Sequence, residues 1–326
     1  MKTKSVVSAA VVSALIFIHV AEAQTQKIPR IGFLFPGSLS YGAPNLEAFR
    51  QGLRDLGYIE GRNIVIEYRL AGGKSDRYLP LAMELVNHGV DVIVTASTPA
   101  TQAVKNATAT IPIVMAAVAD PVRTGLIANL AEPGGNITGL SMRSPEVSGK
   151  RLELIKKITP KARRVGILLT AGNAASETSL EDVHLTARAI GLEIQAVKIR
   201  HSAEIDAGLD ELIRSRIDAF TVFRESLLLV HLKRLLAFAE MNWLPAVYDG
   251  REFALAGGLM SYTPNHLDLY KRAASYVDKI LKGHRPADLP VEQTMRAEFI
   301  INLKAAKKIG LTIPSELLQT ADTVIR

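Results

Sequence analysis

Short apolar segments alternate with amphipathic ones from residue 30 onward. The apolar segments, such as RIGFLFPG at 30–37 and VDVIVTAS at 90–97, have the length and composition of buried strands. Between them, the segment at 44–58 places Leu46 and Phe49 on one helical face and ends beside a glycine. Strands that are apolar throughout and separated by helices predict an α/β fold with parallel sheets covered on both faces.

The order of these segments repeats in the second half of the chain. The motif IGFLF at 31–35 has a counterpart in VGILL at 165–169, and IPIV at 111–114 has one in LPAV at 244–247. Matches that keep the same order predict two Rossmann-like lobes of similar topology. The alternative is a coincidence, because helices and strands alternate in every α/β protein.

A glycine-rich segment, PGGNITGLS at 133–141, separates the two halves. A phosphate-binding loop needs a strand, a glycine turn and a helix N-terminus in immediate succession. Neither G-x-G-x-x-G nor G-x-x-x-x-G-K-[ST] occurs in the chain. The glycines therefore predict a segment in which the backbone turns and crosses between lobes.

The N-terminus has the three parts of a secretory signal peptide. Lys2 and Lys4 precede an apolar core at 6–20, and Ala21 and Ala23 form an A-x-A cleavage site. The alternative, a membrane anchor, is disfavoured because a span needs about 20 apolar residues. We therefore expect cleavage after Ala23, with residues 1–23 removed, and export to the periplasm. Without any cysteine the chain has no site for lipid attachment.

Composition narrows the chemistry further. The formal net charge is +7, but the basic residues are scattered, and export separates the protein from nucleic acid. The absence of cysteine excludes thiol catalysis and thiolate metal sites. The seven histidines lack metal-ligand spacing, and no G-x-S-x-G elbow occurs. We expect neither an enzyme nor a cofactor or metal.

Three blocks of the sequence resemble one family. They are IPIVMAAVADPVRTGLIANLAEPGGNITGLS at 111–141, GGLMSYTPNHLDLYKRAASYVDKILKGHRPADLPVEQ at 257–293 and INLKAAKKIGLTIP at 301–314. The family is the periplasmic substrate-binding proteins of ABC transporters with the type I fold, in a subfamily related to the tryptophan- and tyrosine-binding proteins. The resemblance implies a monomer that takes a small-molecule ligand to a permease in the inner membrane. A ligand sensor that docks on a signalling receptor is the alternative.

The resemblance also implies where the lobes begin and end. Lobe 1 is expected to contain 28–141 plus 259–284, and lobe 2 to contain 142–258 plus 285–326. The three crossings are expected near Gly139 to Ser144, near Ala256 to Leu259, and near Arg285 to Val291.

Ligands of open α/β sheets bind beyond the carboxyl ends of the strands. That rule selects polar and aromatic residues of several loops, and a tyrosine beside the second crossing is added as an aromatic wall. The resulting candidate ligand-binding residues are Ser38, Tyr41, Ser97, Thr98, Pro99, Asp120, Asn173, Arg224, Glu225, Asp249 and Tyr262.

These candidates suit an α-amino acid. We expect Thr98 to cap a helix whose first residue is Pro99, so that free amides there accept a carboxylate. Asp120 is expected to hold an ammonium group, and Tyr41 and Tyr262 to flank an aromatic or branched side chain. Each polar candidate also has a purely structural interpretation as a cap or turn residue. A small carboxylate without an amine is the alternative ligand.

We predict that the mature protein begins at Gln24, because the A-x-A site directs cleavage after Ala23. N-terminal sequencing of protein from the periplasmic fraction of expressing cells tests this. An intact Met1 in that fraction would contradict the prediction.

Overall fold

The structure, a computed structural model, describes residues 27–142, 144–294 and 297–326. The predicted signal peptide and its cleavage site lie outside the described residues. Among the described helices, none has the length and hydrophobicity of a membrane span. The first elements in chain order are β1 (Arg30–Phe35), α1 (Leu39–Asp55), β2 (Val65–Leu70), α2 (Tyr78–Asn87), β3 (Val92–Ala96), α3 (Thr98–Ala107), β4 (Ile113–Ala119) and β5 (Ile137–Met142).

The remaining elements begin with a helix that follows the first crossing. They are α4 (Ser144–Ile158), β6 (Arg164–Thr170), α5 (Ala174–Ala189), β7 (Glu193–Ile199), α6 (Ile205–Arg214), β8 (Ala219–Val222), α7 (Ser226–Val230), α8 (Leu232–Met241), β9 (Val247–Tyr248), α9 (Arg251–Leu255), β10 (Met260–Pro264), α10 (His266–Leu281), β11 (Glu292–Thr294), β12 (Ala297–Asn302), α11 (Leu303–Lys308), α12 (Ser315–Thr320) and β13 (Thr323–Ile325). Short 3₁₀ helices occupy Ser75–Arg77, Ser202–Glu204 and Pro286–Asp288.

The first lobe contains a six-stranded parallel sheet with the order β11-β5-β4-β3-β1-β2. Its central strands β1, β3 and β4 are buried along almost their whole length, as expected for a sheet covered on both faces. One face packs against α1 and α10, and the other packs against α2 and α3. The first half of the prediction, a parallel α/β lobe, is confirmed.

The second lobe is built on two sheets that a single bridge connects. Strands β7, β6 and β8 are parallel, and β9, β10, β12 and β13 form the adjoining sheet. A bridge between Phe220 and Ala246 joins the two. Among the described strands, β10 and β12 form the one antiparallel pair, because β12 enters this sheet from the last crossing. The two-lobed α/β fold is therefore confirmed.

Strand pairing places two of the crossings later than the sequence predicted. β10 pairs with β9 and β12, so 260–264 belong to the second sheet and the return follows Pro264. β11 pairs with β5, so 292–294 still belong to the first sheet. The crossings predicted near Ala256 to Leu259 and near Arg285 to Val291 therefore precede β10 and β11, and strand pairing keeps each of these strands in the lobe that the chain was expected to have left.

The glycine-rich segment does belong to the first crossing. Gly139 lies within β5 at a φ of 128°, a conformation that disfavours residues with a side chain. A Cβ at this position would lie 2.3 Å from the Met115 carbonyl oxygen of β4. The glycine therefore allows β5 to lie against β4 immediately before the chain enters the second lobe.

Helix α10 returns from the second lobe and packs closely on α1. At Gly52 of α1, a Cβ would lie 2.2 Å from the Lys271 carbonyl oxygen and 2.9 Å from the Cβ of Ala274. Backbone atoms cannot move aside as a flexible side chain can. Only glycine at position 52 therefore allows α1 and α10 to lie this close together.

We predict that Gly52→Ala lowers the free energy of unfolding by about 1–3 kcal/mol, the usual cost of overpacking. Alanine in an ordinary helix would instead add up to about 1 kcal/mol. Denaturant midpoints at unchanged m-value measure the difference, with the exposed neighbour Gln51→Ala as control. A Gly52→Ala protein as stable as the wild type would show that α1 and α10 pack less closely than described.

Candidate functional site

A cavity of about 120 Å³ lies between the two lobes at the carboxyl ends of the parallel strands. Both lobes line it, the first through the loops after β1 and β3 and the end of β4, and the second through the loops after β6, β8 and β9. One water needs roughly 10–15 Å³ of such space, so the cavity accommodates a ligand of amino-acid size. Its position agrees with the rule that selected the candidate residues.

Two helices of the first lobe begin at this cavity. Ser97 is the N-cap of α3, at a φ of 66°, and its buried hydroxyl has no hydrogen-bond partner among the described residues. Thr98 is the first helical residue, and its hydroxyl donates to the Ala119 carbonyl at 3.3 Å. The expectation that Thr98 caps the helix is therefore wrong, because the helix begins one residue earlier and leaves Ser97 at the cap.

The first residues of both helices border the cavity, and a helix N-terminus has amides without an intrahelical acceptor. The first amide of α3 that donates along the helix belongs to Thr101, which bonds the Ser97 carbonyl at 3.1 Å. Earlier amides at a helix N-terminus have no intrahelical acceptor, and Pro99 has no N–H at all. Ser38, the N-cap of α1, also lines the cavity, and its hydroxyl bonds that of Ser40 at 2.7 Å.

In the second lobe, Asn173 and Glu225 line the cavity and are hydrogen-bonded to each other. Asn173 caps α5 by accepting from the Ala175 amide at 3.1 Å, and its Nδ2 donates to Glu225 at 3.1 Å. Glu225 also accepts from the Thr170 amide at 3.0 Å and from the Ser176 hydroxyl at 2.7 Å. Burial raises the pKa of Glu225, and these donors oppose the rise. The carboxylate therefore holds the β6–α5 loop in place.

Asp249 has a buried cationic partner that the sequence reasoning missed. Arg151 of α4 is 3% exposed, and its Nη1 lies 2.9 Å from Asp249 Oδ1 and 3.1 Å from the Tyr262 carbonyl oxygen. Its Nη2 donates to the Ser148 hydroxyl at 2.8 Å. Burial lowers the pKa of Arg151, and the charge of Asp249 opposes that change. No loop motif marks Arg151, because it lies on a helix face that only the fold directs toward the cleft.

A second ion pair at the cavity joins the candidate residue Arg224 to Glu252, and the Arg224 backbone also contacts Asp249. Arg224 Nη2 lies 2.8 Å from Glu252 Oε1, and the Arg224 amide approaches Asp249 Oδ2 at 3.4 Å. Burial alone would raise the pKa of Glu252, but the charge and hydrogen bond of Arg224 lower it to about 2.

The neighbouring His266, at the start of α10, is 4% exposed. Burial and the charge of Arg224 lower its pKa to about 3, while Glu252 opposes this shift.

Aromatic side chains of both lobes form the apolar walls. Tyr41 lines the cavity and packs against the apolar core of the second lobe. Tyr78 is 7% exposed, and burial raises its pKa to about 12, while a hydrogen bond with Ser226 opposes the rise. The sequence rule missed Phe35, Tyr78 and Tyr270 because they lie within strands and helices. It also passed over Phe223, which directly follows β8.

Two candidate residues do not line the cavity. The Asp120 carboxylate accepts from the Arg123 amide at 3.1 Å and lies 3.6 Å from the Arg123 guanidinium, so it stabilises its own turn. The Tyr262 ring packs edge-on against Phe299 within the second lobe, with ring centres 5.9 Å apart. The structure thus places neither side chain at the cavity, because turn chemistry fixes Asp120 and the alternation of β10 turns Tyr262 away.

The remaining candidates all border the cavity. They are Ser38, Tyr41, Ser97, Thr98, Pro99, Asn173, Arg224, Glu225 and Asp249. Their contact with a ligand stays a prediction. In the described ranges, no group of three histidine, aspartate or glutamate side chains is placed to hold a metal ion.

The sequence matches one family profile and a curated relative. The profile described as ABC transporter substrate binding protein matches residues 44–325. A tyrosine-binding protein of Clostridioides difficile is 30% identical over 272 residues, which are 82% of this chain and 78% of that protein.

Solved structures show the same two-lobed arrangement. The ABC domain of Streptococcus pneumoniae in complex with L-Trp has a TM-score of 0.85 at 28% identity, covering 91% of this chain and 99% of that chain. A ligand-free, open substrate-binding protein of Clostridium difficile has a TM-score of 0.65 at 26% identity, with coverage of 91% and 99%. Although the two sequence identities are nearly equal, the fold of this chain superimposes better on the L-Trp complex than on the ligand-free, open protein. These relatives are binding proteins, which confirms the prediction that the chain is not an enzyme.

We predict that His266 makes the protein less stable as the pH falls below its unfolded-state pKa of about 6.5. The unfolded chain then binds a proton that the folded chain, with a pKa of about 3, does not bind. Between pH 7.5 and pH 5, this contributes a loss of about 2 kcal/mol. Denaturant unfolding of wild type and His266→Gln at several pH values measures it. Parallel pH curves for the two proteins would contradict the buried, neutral histidine.

Proposed function

The chain belongs to the family of ABC transporter substrate-binding proteins, and from that premise we propose that it captures an amino acid with an aromatic or branched side chain. The ligand occupies the cavity between the lobes and is delivered to a permease in the inner membrane. The observation that carries the proposal is the cavity itself, which combines a helix N-terminus, a carboxylate and aromatic walls.

The ligand carboxylate binds at the N-terminus of α3. Free amides and the helix dipole favour an anion there. The Ser97 hydroxyl, buried and without a hydrogen-bond partner in the part of the chain that the structure describes, supplies an additional donor at the same point. Together they replace the water that the carboxylate loses on entering the cavity.

The ligand ammonium binds Asp249 in place of Asp120. Asp249 lines the cavity and keeps 20% of its side chain exposed, whereas Asp120 is committed to its turn. Besides Arg151, Asp249 accepts from the Arg224 amide at 3.4 Å and from the Thr263 hydroxyl at 3.3 Å. Because a carboxylate offers about four lone-pair sites, Asp249 accepts one further donor. Glu225 is less suited because its three donors bind at 2.7 to 3.1 Å, whereas two of the three donors to Asp249 lie at 3.3 and 3.4 Å.

The ligand side chain lies among Phe35, Tyr41, Tyr78 and Phe223, which give the cavity its apolar surface. Rings of this kind favour an aromatic or branched aliphatic group through buried area and ring–ring contacts. The relatives support this class of ligand, since one is a tyrosine-binding protein and another was solved with L-Trp.

A small aromatic carboxylate without an amine is the second candidate ligand. The observation that favours it is the existing pairing of Asp249 with Arg151 at 2.9 Å. If this pair satisfies Asp249, no strong acceptor for an ammonium remains, while the carboxylate position at Ser97 is unaffected.

Delivery to a permease requires that the protein be outside the cytoplasm. The signal-peptide pattern of residues 1–23 supports export, and the absence of cysteine favours a protein that diffuses freely in the periplasm. Closure of the two lobes around the ligand then distinguishes the loaded from the empty form, because only the closed form contacts the ligand from both sides.

We predict that L-amino acids with aromatic or branched side chains bind at least about tenfold more tightly than their deaminated analogues. A charge-assisted hydrogen bond to Asp249 contributes about 1.5–3 kcal/mol. Thermal-shift screening followed by titration calorimetry measures the difference, since a ligand at 100 times its Kd adds about 2.7 kcal/mol of stability. Equal binding of both compounds would exclude the ammonium role and favour the second candidate.

The variant Asp249→Asn sharpens this experiment. Asparagine keeps an oxygen for Arg151 but lacks the charge, so the preference for the amino acid over its deaminated analogue is expected to shrink. Asp218→Asn is the matched control, because Asp218 also accepts backbone amides, at 2.7 and 2.8 Å, at the far end of the same lobe. A preference that is unchanged in Asp249→Asn would contradict the assignment.

A further inference from the structure

We propose that Arg123 is an interlobe positioning residue, which holds the lobes closed through an ion-pair latch to Glu181 and Asp182 without touching the ligand. The inference rests on the proposed function in one respect, namely that closure accompanies ligand capture. The latch itself is a property of the chain and is testable without any ligand.

The latch joins a loop of the first lobe to a helix of the second. Arg123 follows β4, and both acidic residues lie in the middle of α5. Arg123 Nη1 lies 2.7 Å from Asp182 Oδ2, and Nη2 lies 3.2 Å from Glu181 Oε2. The contact thus connects the two sheets through side chains alone, at a point where the backbone does not cross.

Asp120 aims the guanidinium at its partners. Its Oδ1 accepts from the Arg123 amide at 3.1 Å, and its Oδ2 lies 3.6 Å from Arg123 Nε. These contacts stay within the first lobe and do not involve any residue of the second. Arg123 is therefore held in a ready orientation, which reduces the side-chain entropy that the latch must overcome.

The latch lies at the rim of the cavity. Asn173, Ser176 and Ser179 of the same loop and helix line the cavity, and the two acidic residues follow directly along α5. Arg123 itself is not among the lining residues. Its side chain is 39% exposed, so water and salt ions reach it.

Two further contacts between the lobes are uncharged. Gly73 lies so close to the second lobe that a Cβ would be 2.9 Å from the Ser226 carbonyl oxygen. Tyr78 shares a hydrogen bond with the Ser226 side chain. Because salt screens charges but not packing, the latch makes closure sensitive to ionic strength in a way that these contacts do not.

Closure of the ligand-free protein tests the latch directly. The chain has no cysteine, so cysteines introduced at the exposed Asn106 of α3 and Ala189 of α5 take one fluorophore each. We expect Arg123→Ala to lower the ratio of closed to open molecules about two- to tenfold at low salt, the range of an exposed ion-pair network. In the wild type, raising NaCl from about 0.02 M to about 0.5 M shortens the Debye length about fivefold and should have a similar effect.

Arg164→Ala is the matched control. Arg164 and its partner Glu193 are 3.1 Å apart and exposed by 39% and 72%, as Arg123 and Glu181 are by 39% and 70%, but both lie within the second lobe. This variant is expected to leave the closed fraction and its salt response unchanged. The double variant Arg123→Asp with Asp182→Arg is expected to recover closure that Arg123→Asp alone loses.

Equal closed fractions in wild type and Arg123→Ala, including the absence of a closed state in both, would overturn the proposal. For a bound amino acid, Arg123→Ala is also expected to raise the Kd about two- to tenfold, which corresponds to about 0.4–1.4 kcal/mol of binding free energy. Most of this change is expected in the dissociation rate. If no amino acid binds but the closed fraction still falls, the ligand assignment fails and the latch stands. If amino acids bind and the closed fraction is equal, the latch fails and the ligand assignment stands.

Discussion

The buried guanidinium of Arg151 is the constraint on which the cleft depends. It ties α4, which follows the first crossing, to Asp249 after β9 and to the Tyr262 carbonyl of β10, which precedes the second crossing. A charge this deeply buried is tolerated only when its partner and hydrogen bonds are all present. The same contacts that keep Arg151 satisfied therefore fix Asp249 at the cavity and set the positions at which the chain passes between lobes.

The positions of the loops could be predicted from the sequence because they follow from strand periodicity. Apolar strands alternating with helices predict a parallel sheet, and the carboxyl ends of its strands predict the loops that hold Ser97, Asn173 and Glu225. Those three residues indeed border the cavity. Such reasoning needs only local patterns and one general rule of α/β folds.

The direction of individual side chains could not be predicted in the same way. Asp120 lies in a correct loop, but its turn and Arg123 take its carboxylate, and no local pattern distinguishes that use from ligand binding. Tyr262 was assigned to the first lobe, and pairing of β10 with β12 instead places it in the second core. Arg151 lies on a helix of mixed charge, where only tertiary packing distinguishes a buried arginine from a surface one.

The charged side chains around the cavity are paired with one another, and this pairing affects what drives closure of the lobes. Arg151 binds Asp249, Arg224 binds Glu252, and Glu225 accepts from three donors. In the site that we propose, helix amides, the capacity left on Asp249 and apolar area hold the ligand. None of these leaves an isolated charge behind when the ligand departs. Such a site releases its ligand readily once the lobes separate, so the length of time for which the ligand stays bound depends on contacts between the lobes as well as on the cavity itself.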